Sequence, residues 1–180
     1  MKQLLVTVAL VIGTIRAAAA ATPTMRLDYY HTGNATEERF SLDRIVIEPL
    51  PWPGNPAKPV DATNLGKYLF EVVDTATGRV VYSRGFASIY GEWETTAEAK
   101  SMNRTFSESL RFPQIDEPAR IIVRKRDKRN AFSEAWSLAI DPANKFIERG
   151  AAAVAAGAPI AIHESGDPAT KLDLLILGDG

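Results

Sequence analysis

The chain of 180 residues contains no cysteine and only two histidines, His31 and His163. The first absence excludes disulfide bonds, thiolate zinc sites and a cysteine nucleophile. The second excludes a metal centre of three histidines built from this chain alone. The chain also has no large excess of charge of either sign. It has 21 basic and 22 acidic residues, which gives a net charge of −1. Surfaces for nucleic acid or anionic membranes need a large cationic excess, so we expect neither partner.

Long apolar runs are missing except at the N-terminus. Residues 4–15 are almost wholly apolar, follow Lys2, and precede five alanines at 17–21. This layout is typical of a secretory signal peptide, and the run is shorter than the roughly 20 residues that span a bilayer. We therefore predict a signal peptide over residues 1–21 and an exported protein, periplasmic or extracellular, with no membrane attachment after cleavage. An uncleaved membrane anchor is the alternative.

What is present is a composition able to build a core, 46% hydrophobic and 24% charged, which is that of a globular protein. Between residues 22 and 147, short segments alternate apolar and polar residues and are separated by turn residues. The clearest hairpin pairs residues 67–74 with 79–86 around Thr77 and Gly78. We predict a mainly β domain, an antiparallel β-sandwich of six to seven strands, with a proline-rich surface loop over 48–61. A capping pattern at Thr95 and Glu98 predicts one short helix over 97–102.

The pattern changes near residue 148. Residues 150–159 are rich in alanine and glycine and predict a linker, which we extend over 148–170. The last ten residues, 171–180, then contain a nearly continuous run of leucine and isoleucine. A strand that is apolar on both faces is typical of a covered parallel sheet, so we predict the first strand of a truncated α/β domain. The alternative is that this strand folds back onto an edge of the sandwich.

Motifs for catalysis or metal binding are not recognisable. His163 and Glu164 begin like the H-E-x-x-H zinc motif, but Asp167 stands in place of the second histidine, and Gly166 and Pro168 disfavour a helix. We therefore predict no catalytic residue, no metal ligand and no cofactor in this chain. The best candidates for contacts with a ligand or partner are aromatic residues and a basic hairpin tip: Trp52, Tyr90, Trp93, Arg124, Lys125, Arg126, Lys128 and Arg129.

Several segments resemble the N-terminal domain of bacterial IgA peptidases, the secreted zinc metallopeptidases of family sixty-four. The resemblance covers nearly all of the chain after the signal peptide, and its most specific part lies between residues 85 and 99. The segments are 25–34 (MRLDYYHTGN), 82–86 (YSRGF), 92–99 (EWETTAEA), 110–113 (LRFP), 125–127 (KRD), 140–142 (IDP), 165–168 (SGDP) and 171–180 (KLDLLILGDG).

This resemblance implies a non-catalytic accessory domain that positions or stabilises a downstream catalytic domain, which is its expected partner. Zinc would belong to that catalytic domain, because the family holds its metal on an H-E-x-x-H helix beyond the last residue here. Two other hypotheses stay open: a free-standing exported module that binds glycan or protein, and a structural envelope protein without a ligand.

Overall fold

The computed structural model describes residues 22–150 and the single positions 162, 163, 166 and 171. The predicted signal peptide, most of the predicted linker and the leucine-rich end of the chain lie outside the described residues. Among the described residues, no helix is long and apolar enough to cross a lipid bilayer.

The described part of the chain forms eight strands in two four-stranded sheets, which confirms the predicted mainly β sandwich. One sheet has the strand order β5-β1-β2-β8 and the other the order β4-β3-β6-β7. All the strand pairs are antiparallel except β2 with β8. The strands are β1 (Pro23–Gly33), β2 (Glu38–Pro51), β3 (Tyr68–Asp74), β4 (Val80–Phe86), β5 (Arg104–Pro113), β6 (Ala119–Arg126), β7 (Phe132–Ile140) and β8 (Glu148–Arg149).

Two boundaries differ from the prediction. Strand β2 continues through Pro49 to Pro51, into the segment predicted as a loop. The pairing with β1 shifts register between Glu48 and Pro51, so Pro49 lies in a bulge, a position where a missing backbone amide is tolerated. At the other boundary, β8 pairs with Val46 and Ile47 of β2, so the sheet extends two residues past the predicted domain end at 147.

The predicted helix over 97–102 is wrong in extent. A five-residue helix, α1 (Ile89–Trp93), precedes it, and only a 3₁₀ turn, Glu98–Lys100, lies in the predicted range. The Ser88 side chain accepts the Gly91 N–H and caps α1. Glu98 does not close a capping box, because its carboxylate accepts the indole N–H of Trp93 at 2.7 Å.

The core lies between the sheets and follows from strand alternation. In β1, Met25, Leu27, Tyr29 and His31 alternate toward the core and are at most 1% exposed. The facing strands β3 and β6 contribute buried aromatic and branched side chains. Three of these four β1 residues are apolar or aromatic, and His31 is the exception, since it brings an ionisable ring into the interior.

Candidate functional site

The most unusual feature of the sandwich is a buried ionisable group at one end of the core. Both ring nitrogens of His31 face carboxylates: Nε2 lies 3.1 Å from Glu38 Oε2, and Nδ1 lies 3.2 Å from Glu108 Oε2. Two tyrosines donate to the same oxygens, Tyr68 to Glu38 and Tyr29 to Glu108, each at 2.9 Å. We call His31, Glu38 and Glu108 the His31 cluster. It joins strands β1, β2 and β5 of one sheet to Tyr68 of the other.

Aromatic rings cover both faces of the His31 imidazole. Phe40 stacks on one side with ring centroids 4.1 Å apart, and Tyr90 of α1 stacks with centroids 3.8 Å apart. The backbone N–H of Tyr90 also donates to Glu108 Oε1 at 3.1 Å. Helix α1 is thus held against the sandwich by the same groups that enclose the histidine.

Two lysines and a third glutamate extend the network toward solvent. Lys125 Nζ lies 3.0 Å from Glu38 Oε2 and 2.8 Å from Glu94 Oε2. Lys67 forms an ion pair with the other oxygen of Glu94 and donates to the Gly91 carbonyl at 2.8 Å. Within the described residues, no buried side-chain nitrogen or oxygen lacks a hydrogen-bond partner, so the network satisfies its own polar groups.

The electrostatics favour the charged forms of all three members of the cluster. Burial alone would lower the pKa of His31, but its hydrogen bonds to Glu108 and Glu38 raise the pKa above the ordinary value. Burial opposes ionisation of the two glutamates as well, yet hydrogen bonds from His31 and other donors leave the pKa of Glu38 and of Glu108 below the ordinary value. The contacts of the cluster therefore favour a protonated His31 between two ionised carboxylates.

Sequence reasoning did not identify this cluster. The available signal was alternation: His31 occupies the same parity as Met25, Leu27 and Tyr29, so a pattern that buries those residues also buries the histidine. Glu108 interrupts an inward series in β5 in the same way, between Phe106 and Leu110. A buried ionisable residue needs a charged or hydrogen-bonding partner, but the partner's identity depends on pairing across 77 positions of the chain.

The predicted aromatic contact residues lie in different environments. Tyr90 and Trp93 are buried, at 0% and 7% exposure, and pack with Phe106 beneath α1. Trp52 is half-buried and meets Tyr82 edge-on with ring centroids 5.5 Å apart. A ligand therefore reaches Trp52 at the surface but reaches Tyr90 and Trp93 only if α1 moves.

The predicted basic tip makes most of its contacts within the domain. Arg124 binds Glu71 at 2.7 Å, and Arg126 lies over the Phe132 ring at 4.1 Å from its centroid. Lys125 belongs to the network described above. Lys128 and Arg129 are exposed, and Arg129 lies 3.5 Å from Asp127. Of the five predicted cations, these last two are the most available to a partner.

The opposite end of β3 carries a shallow groove of about 290 Å³. Its walls include Asp74, Tyr82, Ile115, Asp116 and Glu117. Among the described residues, no group of three or more histidine, aspartate or glutamate side chains is arranged to hold a metal ion. This holds for the acidic groove and for the His31 cluster alike.

Comparison with known proteins gives a family for this fold. The family model described as Peptidase M64 N-terminus matches residues 18–137, which is two thirds of the chain and spans β1 through most of β7. No curated protein matches the sequence. The His31 cluster, α1 and the basic tip all lie within the matched range. The chain therefore belongs to the family of peptidase M64 N-terminal domains.

Proposed function

We propose that this chain is a non-catalytic accessory domain of an exported zinc metallopeptidase of the IgA peptidase type. It positions or stabilises a catalytic domain downstream. The observation that carries the proposal is the family match, because it covers nearly the whole sandwich and names the N-terminal part of a peptidase. Zinc and the residues that cleave the substrate belong, in this proposal, to the catalytic domain.

The chemistry of the described residues supports a non-catalytic role. A general base or acid needs a protonatable atom within hydrogen-bond distance of the substrate. Both nitrogens of His31 already contact carboxylates, and aromatic rings cover both faces of the imidazole. Tyr29 and Tyr68 are held by the same carboxylates, and burial raises the pKa of both hydroxyls far above their ordinary value. These groups fix the fold and are shielded from a substrate.

The proposed role is tested by supplying the domain to a catalytic partner. A catalytic domain of an M64 peptidase is produced alone, fused behind this chain, and fused behind an unrelated β-sandwich of similar size. Of the three forms, we expect only the fusion to this chain to give a higher yield of soluble, chelator-sensitive activity on casein. Equal yield and activity in all three forms contradicts the accessory role.

The non-catalytic part of the proposal has its own test. The purified chain is incubated with zinc and casein, and we expect no hydrolysis above background. Zinc-dependent hydrolysis that a chelator abolishes contradicts the assignment. Specific binding of the chain to an envelope glycan or protein, with no effect on the catalytic domain, favours the free-standing binding module instead.

Export is a separate part of the proposal. It rests on the apolar run at 4–15 and the alanines at 17–21. We expect the mature protein, isolated from the periplasm or the medium, to begin at Ala21 or Thr22. Recovery of the full chain from the cytoplasm, starting at Met1, contradicts this part and leaves the accessory role unaffected.

A further inference from the structure

The acidic groove lies at the end of the sandwich where the chain leaves it. Pro113 of β5, which lines the groove, pairs with Thr24 of β1, and Thr24 pairs with Glu48 of β2. Gly150 follows β8 on the other side of β2, where its N–H donates to the Ile47 carbonyl at 2.9 Å. Neighbouring strands lie about 4.8 Å apart. Three such steps, roughly 15 Å, therefore separate the groove from Gly150.

The floor of the groove is apolar surface that the domain leaves partly uncovered. Val81 and Ile115 pack against the main core, yet both are only half-buried. At the other end of the sandwich, helix α1 covers the His31 cluster and buries Tyr90 fully. A partner that covers the floor of the groove removes apolar surface from water without displacing a strand or helix.

The rim of the groove is acidic. Asp74, Asp116 and Glu117 line the groove, and Asp141 lines a depression that adjoins it. Asp116 and Glu117 are exposed and form no hydrogen bond or ion pair with another described residue. None of the described residues that line the two cavities is basic, although Arg79 offsets part of the charge at Asp74. A surface that complements this rim carries lysine or arginine side chains.

The predicted linker brings the polypeptide that follows it within reach of the groove. A random coil of about twenty residues, the length predicted for the linker after Gly150, spans roughly 25 Å. This span exceeds the separation of roughly 15 Å between Gly150 and the groove. A tether of this length keeps a downstream domain at a local concentration in the millimolar range. A weak contact is then sufficient to hold that domain at the groove.

We propose that the acidic groove is the docking site for the catalytic domain downstream of the linker. The docking surface of that domain carries lysine or arginine around an apolar side chain. The apolar side chain covers Val81 and Ile115, and the cations face Asp116 and Glu117. Docking of this kind rests on the proposed function, in which a catalytic domain follows the linker, and it gives the accessory role a defined face of the sandwich. Since the rim carboxylates are exposed, salt screens their attraction and weakens docking.

The test compares the free chain with the chain fused in front of an M64 catalytic domain. That domain comes from a relative whose own N-terminal domain carries acidic residues at the positions equivalent to 116 and 117. The amide signals of residues 113–119 and 141–143 are followed by nuclear magnetic resonance in both proteins. We expect these signals to shift in the fusion while those of α1 stay unchanged. In about 1 M salt, where the Debye length is about 3 Å, they return toward their positions in the free chain.

Two double variants of the fusion separate the groove from the overall charge. Asp116→Lys with Glu117→Lys reverses the rim. It should raise the ratio of undocked to docked protein about tenfold or more, because like charges that face each other across an interface are strongly unfavourable. Asp43→Lys with Glu92→Lys makes the same change in net charge at exposed positions that do not line the groove, and it keeps the shifts. If the reversed rim prevents folding, the salt series on the unchanged fusion decides.

A failure of docking and a failure of the accessory role give different results. Docking is overturned if the groove signals do not shift in the fusion, if the shifts are insensitive to salt, or if the reversed rim leaves them unchanged. The accessory role stands in those cases wherever the fusion still raises the yield of active catalytic domain. Shifted groove signals with equal yields in all forms support docking and contradict the accessory role.

Discussion

Replacement of Glu108 by glutamine tests the energetic importance of the buried cluster. Glutamine keeps the size of the side chain and one acceptor oxygen but removes the negative charge that faces His31. The Glu108 side chain is only 7% exposed, so water does not replace the lost interaction. Removal of one partner from a buried ion pair typically costs about 3 to 5 kcal/mol.

We expect Glu108→Gln to cost about 3 kcal/mol, the lower end of that range, because the His31 ring relieves part of the imbalance by releasing its proton. For a domain of this size the loss corresponds to a fall of roughly 12 °C in the midpoint of thermal unfolding. The assay is urea unfolding at pH 7, which reports both the free energy of unfolding and its dependence on denaturant.

Glu134→Gln is the matched control. Glu134 also lies on a strand and binds an arginine, Arg120, at 2.8 Å, but the two side chains are 40% and 48% exposed. Exposed pairs contribute up to about 1 kcal/mol, so this variant stays close to the unchanged protein. If both variants lose the same stability, burial does not set the strength of the His31 cluster and the reasoning is refuted.

Three further perturbations address other parts of the fold. Leu27→Ala empties a fully buried position of the core and should cost about 3 kcal/mol in urea unfolding, whereas a loss below about 1 kcal/mol means that the core closes around the cavity. Gly78→Ala places a methyl group at φ +69°, where no atom lies within 4 Å, so backbone strain alone should cost about 1 kcal/mol. An unchanged midpoint of urea unfolding contradicts the turn geometry. Asp28 is bound by Arg26, Arg44 and Ser109, and these hydrogen bonds outweigh burial and lower its pKa to about 2. Its contribution to stability is present above about pH 4 and is lost as pH falls toward 2. Asp28→Asn should flatten that acidic limb of a pH–stability curve, and an unaltered limb contradicts the assignment.

The sandwich was predictable because its strands carry local information. The hairpin around Thr77 and Gly78 combines alternation with turn chemistry, and both act within a few residues. Its strands appear as β3 and β4 within one residue of the predicted limits. The short helix was misplaced for the opposite reason. Ser88 caps an earlier segment, and the Glu98 carboxylate accepts a hydrogen bond from Trp93 instead of forming the predicted cap. Side-chain contacts therefore determine where the helix lies.

The His31 cluster was not predictable at the same level. Its members come from β1, β2 and β5, and their partners from β3, β6 and α1, so the cluster exists only once two sheets are paired and stacked. Tyr90 and Trp93 show the same limit. In the sequence they are aromatic residues near a turn. An aromatic residue there has the same sequence pattern whether it contacts a ligand at the surface or packs in the core. Only the tertiary structure places both of them inside.

The most direct test of the accessory role is the thermal unfolding of a catalytic domain from an M64 peptidase, measured by calorimetry with and without this chain fused before it. We predict that the fusion raises the unfolding temperature of the catalytic domain and that Glu108→Gln, which weakens the sandwich, reduces the increase while Glu134→Gln preserves it. If the catalytic domain unfolds at one temperature in all four proteins, the sandwich neither positions nor stabilises it, and the central claim is contradicted.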